Sequence, residues 1–153
     1  MRRAMTALVV LVAATTTLAA VASARPAAAN QRVSIDQKGG SFVLTAASSG
    51  AIKDDKGALT ACCWTSRHVT VAGQRLEVDN PRLTLTGANG TLNFRNRIEW
   101  VDVPGGLGIL NGTWKVVGGT GAYAGMSGHG RVEGVQTKGG YDRVHFFGFL
   151  TSG

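Results

Sequence analysis

Helical periodicity is what this chain lacks. Past residue 30 no segment repeats its apolar residues at helical spacing over a helix's length. All 22 glycines lie after residue 29, and glycine is costly inside a helix and useful in turns. That pairing excludes a helical bundle and the α/β folds that need crossover helices. Cysteine is scarce as well: two residues, adjacent in sequence, cannot build a disulfide-dense scaffold. Acidic residues are few, 9 against 16 Lys and Arg, for a formal charge of +7. There is no block repeat, no low-complexity tail and no interdomain linker.

The first 29 residues stand apart. Met1-Arg2-Arg3 is a short positive region, Ala4 to Val21 is apolar apart from scattered threonines, and Ala22-Ser23-Ala24 and Ala27-Ala28-Ala29 follow as small-residue cleavage patterns. This is the layout of a secretory signal peptide, with cleavage expected before Asn30 or, second, before Arg25. Residues 30–153 then form one domain of 124 residues, enough for a single core. Removing Arg2, Arg3 and Arg25 leaves 13 basic and 9 acidic residues, a net charge of +4. The remaining cations are scattered along the chain among acids, whereas a nucleic-acid footprint needs clustering. No nucleic-acid partner and no stable membrane anchor after cleavage are therefore expected.

What the mature chain does contain is strands. Short alternating or apolar runs recur at 41–47, 57–64, 67–71, 74–78, 82–86, 91–103, 113–117, 131–137 and 141–151. Ala72-Gly73, Asn89-Gly90, Gly105-Gly106, Asn111-Gly112 and Gly139-Gly140 read as hairpin turns between them. Evenly spaced short strands joined this way predict an all-β fold, a sandwich or an up-and-down barrel. In "TLNFRNRIEW" Leu92, Phe94, Asn96, Ile98 and Trp100 share one face, and Arg95, Arg97 and Glu99 share the other. In the last strand Val144, Phe146 and Leu150 oppose His145, Phe147 and Phe149, so both of its faces are apolar.

"GTWKVVGGTGAYAGMSGHGR", Gly112 to Arg131, places seven glycines in twenty residues. It lacks the Gly-Lys-Ser/Thr of a P-loop, and its later glycines deny the helix that a dinucleotide-binding unit requires. A structural corner fits better. Gly118 and Gly119 end a strand, Gly121 and Gly125 shape a tight crossover, and Gly128 helps the next strand begin with a bend. Tyr123 then plugs a barrel end, its hydroxyl reaching a backbone group or water. The stretch resembles the signature of the allene oxide cyclase and dirigent-like barrel superfamily in Gly118, Gly119, Thr120, Gly121, Tyr123 and Gly128, and "RIEWVDV" is similar to the preceding strand of secreted bacterial members. The resemblance implies an eight-stranded antiparallel barrel with a central pocket and a homotrimer. It also implies relatives that act as isomerases or cyclases, but no family catalytic residue maps onto a position here, so catalytic residues stay unknown.

Other constellations are weaker. Cys62 and Cys63 have Cα atoms about 3.8 Å apart, shorter than the usual disulfide span of about 4.4–6.8 Å; a vicinal bridge, separate thiols and an intermolecular bridge all remain open. The three histidines show no metal-ligand spacing to this pair, and Ser127 lacks a nucleophile-elbow context. Arg97 and Glu99 read either as a surface charge ladder or as polar groups at a pocket mouth, where arginine could hold a carboxylate. No cofactor and no metal are expected. The sequence thus predicts a secreted barrel that binds a small, largely apolar molecule in its lumen. Trp64, Arg97, Glu99, Trp100, Trp114 and Tyr123 are the candidate ligand-binding residues. The alternatives are an isomerase or cyclase working in that lumen and a structural cell-envelope protein with a filled barrel.

Overall fold

Alternation becomes architecture in a computed structural model that describes residues 29–48, 50–103, 105–137 and 140–152. The expected signal peptide lies outside the described residues, apart from Ala29. Ten strands follow: β1 (Asn30–Lys38), β2 (Ser41–Ala46), β3 (Asp55–Cys62), β4 (Ser66–Val71), β5 (Gln74–Asp79), β6 (Arg82–Gly87), β7 (Gly90–Val103), β8 (Leu107–Gly119), β9 (Ser127–Thr137) and β10 (Gly140–Thr151). One 3₁₀ turn, Gly121–Tyr123, joins β8 to β9.

Eight of these strands close a ring in the order β1-β2-β3-β6-β7-β8-β9-β10, every neighbour antiparallel, with β7–β8 and β10–β1 pairings completing it. This is the expected eight-stranded up-and-down barrel. The β4–β5 hairpin is an excursion from it. β6 pairs with the first half of β7, from Gly87↔Gly90 to Arg82↔Arg95, whereas β5 pairs with the second half through Asp79↔Ile98, Val78↔Glu99 and Glu77↔Trp100. The hairpin therefore prolongs the wall past one end of the barrel. Its tip, Ala72-Gly73, has φ of 49° and 79°, the paired left-handed geometry that matches strand twist.

Two expectations need correction. β1 had no counterpart among the expected strands, yet Gln31, Val33, Ile35 and Gln37 face inward and are buried; its buried glutamines mask the apolar alternation. Asn111-Gly112 is not a turn, because β8 runs unbroken from Leu107. A side chain at Gly112 would collide with the carbonyl oxygen of Arg97, so the glycine serves a close approach of β7 rather than a reversal. Gly139, the expected turn before β10, lies outside the described residues.

Inward side chains fill the lumen. Ile35, Leu44, Leu92, Phe94, Trp114, Phe146 and Leu150 each expose 2% or less, as in a close-packed interior. Phe94 links the layers, its ring centroid 5.0 Å from Trp114 and 6.2 Å from Phe146. Outward positions keep several large apolar groups in solvent, among them Ile109, Val135, Phe147 and Phe149.

Candidate functional site

The two ends of the barrel are built differently, and two buried aspartates show how. At the end where β7 begins, Asp55 opens β3. Its Oδ1 accepts the backbone N–H groups of Lys56 (2.8 Å) and Ala88 (3.0 Å), and its Oδ2 accepts from Asn89 N (3.2 Å) and the Tyr123 hydroxyl (2.9 Å). Tyr123 thus reaches a carboxylate, not the backbone group or water expected of it. Burial, then the hydrogen bond and charge of Asp55, push its hydroxyl above the ordinary tyrosine range. Thr120 caps the same corner, accepting Thr91 N at 3.1 Å. Gly121 turns at φ +60°, where a Cβ would stand 2.5 Å from the Asn89 carbonyl oxygen. Asp55 thus ties β3, the β6–β7 turn and the glycine corner together, so this end is a latch.

The other end is open. Register carries one inward-facing row from His68 through Glu77, Trp100 and Leu110 to Gly134. A second row joins Asp79, Ile98, Gly112 and Val132. These rows and the flaring β4–β5 hairpin bound a cup of about 310 Å³ lined by His68, Arg75, Glu77, Asp79, Trp100, Asp102 and Gln136. The Trp100 ring lies on Gly108, whose absent Cβ would be 3.3 Å from it. Three carboxylates face Arg75 and His68, which sits 3.8 Å from Glu77. The cup is an acidic spot on a basic protein.

Asp79 is the distinctive group. It is 7% exposed, its Oδ2 accepts a long bond from Trp64 Nε1 (3.3 Å), and its Oδ1 has no hydrogen-bond partner among the described residues. Asn96, one inward position before Ile98 and 1% exposed, leaves both amide atoms without partners. A buried polar group left unmade costs about 1–3 kcal/mol, which marks a place where stability yields to another purpose. Neither residue stood out in the sequence. The signal available was Asn96 inside an otherwise apolar face, and the aspartate that closes "LEVD" just before a strand break.

The candidates from sequence do not converge. Trp100 lines the cup, and Trp64, 46% exposed, reaches it through Asp79. Trp114 is core, its Nε1 donating to the Arg131 carbonyl at 3.0 Å, and Tyr123 belongs to the latch. Arg97 and Glu99 form a 2.6 Å ion pair on the outer wall, away from any lumen. Cys62 and Cys63 are exposed free thiols beyond the cup; Cys63 leaves β3 at φ 58°, and its hydrogen bond raises the Cys62 pKa above the ordinary value. Among the described residues no His, Cys, Asp and Glu side chains gather as a metal site. No family model matches the chain, and no curated protein and no solved structure matches it.

Proposed function

We propose that this is a secreted small-molecule-binding barrel whose ligand occupies the polar cup at the open end. The ligand is amphipathic. An ammonium or hydroxyl group donates to Asp79, and a flat apolar portion lies against Trp100. The observation that carries this reading is the under-bonded carboxylate of Asp79 in the lining of the cup, its Oδ1 unpartnered and its Oδ2 held only by the long bond from Trp64. Burying a charge without partners is costly, so a donor arriving from outside would gain most there. Membership in the allene oxide cyclase and dirigent-like superfamily forms part of the same proposal, supported by the strand count and the glycine corner. Phe94, Trp114 and Phe146 fill the lumen, which leaves the cup as the place for a ligand.

The test is a tryptophan-fluorescence titration of the mature protein with arylalkylamines and with matched arylalkyl carboxylates. Saturable quenching by the amines, lost in Asp79→Asn, is expected. No response to either series would remove the proposal. A second reading, a structural envelope protein with a filled barrel, draws on the same packing and on the apolar outer wall at Phe147 and Phe149; silence in both series would favour it.

A further inference from the structure

Strand register gathers cations that the sequence scatters. On the outer wall Arg82 of β6 stands directly opposite Arg95 of β7, and Arg95 stands opposite Lys115 of β8. Lys115 in turn faces His129 of β9. All four are exposed. Neighbouring strands lie about 4.8 Å apart, so the row runs roughly 14 Å across the wall. Among the described residues no ion pair neutralises Arg82, Arg95 or Lys115. By contrast, Arg97, one outward position along β7, is held by Glu99. Like charges directly opposite on a sheet destabilise it, and here the fold sustains that repulsion across two successive strand pairs.

The row also ends in a recess. Arg82 and Arg95 wall a groove of about 560 Å³ together with Thr65, Asn80 and Cys63, where the barrel meets the base of the β4–β5 hairpin. Guanidinium groups present forked donors suited to oxyanions, and Thr65 and Asn80 add further donors beside them. We propose that this row binds a linear polyanion with closely spaced phosphate-type groups. One group is held between Arg82 and Arg95 in the groove, and the next lies toward Lys115. Outward neighbours of the row on β6–β8 are Thr84, Asn93, Arg97, Thr113 and Val117, none aromatic, and the nearest aromatic in register, Phe149, lies on β10 beyond His129. Single-stranded nucleic acid is held on aromatic stacking platforms, so a polymer without bases fits the wall better. This inference does not depend on the cup.

Inorganic polyphosphate is the probe. Calorimetric titration of the mature protein at low ionic strength should show binding that weakens as salt rises. Arg95→Gln should weaken it about tenfold, the loss of one charge-assisted contact. It should also reduce the salt slope by about one. Without ligand, Arg95→Gln should melt no lower than wild type, because it relieves repulsion on both sides. Lys38→Gln, which removes the same charge at the β1–β2 turn, should bind like wild type. The proposal fails if wild type does not bind polyphosphate, or if Lys38→Gln weakens binding as much as Arg95→Gln. It also fails if orthophosphate binds as tightly as the polymer, or if oligothymidylate of equal charge binds more tightly.

Discussion

Asp55 and Asp79 are both buried carboxylates, and their surroundings assign them opposite jobs. Asp55 accepts four hydrogen bonds and ties β3 to the β6–β7 turn and to Tyr123. Asp79 has one long bond and an empty-handed oxygen. Asn96 carries the same deficit deeper in, so Asn96→Leu, which keeps the branched four-atom outline and removes both unpartnered polar atoms, should raise stability by about 1–3 kcal/mol, read as a shift in urea midpoint at unchanged slope. A lower midpoint would mean the amide is satisfied. Tyr123 supplies a pH dependence. Its hydroxyl is held protonated above the usual range, chiefly by burial. The folded chain then binds that proton more tightly than the unfolded chain, where tyrosine titrates near about 10. The stabilisation is therefore complete below about pH 10 and is lost as pH rises toward the folded value. Denaturation across alkaline pH should show this decline in wild type and a shallower one in Tyr123→Phe, which at neutral pH loses about 1–2 kcal/mol with the hydrogen bond to Asp55.

At the scale of elements, β7 and β8 are the spine. Residues 90–103 and 107–119 pair along nearly their whole length, and the latch and the cup sit at their opposite ends. Gly112 permits this, since any Cβ would strike the Arg97 carbonyl on β7. Gly112→Val should cost about 1–3 kcal/mol or more by overpacking, whereas Asn111→Ser, at an outward position, should melt close to wild type. Equal melting of both variants would return Asn111-Gly112 to being a turn. The sequence made β7 legible because Leu92, Phe94, Ile98 and Trp100 alternate with polar residues along most of its length. It hid β1, where Gln31 and Gln37 replace apolar residues on the inner face. Gln31 is inside because its amide donates to the Ala47 and Ile52 carbonyls and accepts from Ile52 N, partners that only the folded chain provides.

At the scale of the whole molecule, β1 closes the barrel. It pairs with β10 from Asn30↔Thr151 and with β2 from Val33↔Ala46, so it seals the ring. If the expected signal peptide is cleaved, mass spectrometry should find a mature N-terminus at Asn30, or at Arg25, either of which leaves β1 whole. A terminus inside 31–38 would contradict the barrel as drawn, since losing β1 would expose the edges of β2 and β10. The outer wall is then organised in bands. Arg82, Arg95 and Lys115 form one, and Glu99, Asn111, Glu133, His145 and Asp36 are register partners in another.

What the sequence determined by itself is whatever depends on near neighbours along the chain. Glycine abundance and two-residue alternation specified strands and hairpins but left a sandwich and a barrel both open; the β10–β1 and β7–β8 pairings close the ring. The Gly118–Gly128 stretch specified a corner, because a positive φ is a local demand met at Gly121 and Gly125. Tertiary structure alone decided what depends on register between distant strands. Asp79 and Trp100 share a cup because β5 pairs with the far half of β7, and Asp55 meets Tyr123 across 68 residues. Cations that look dispersed among acids become one unpaired row, since a strand pairing sets residues side by side whatever their separation in sequence.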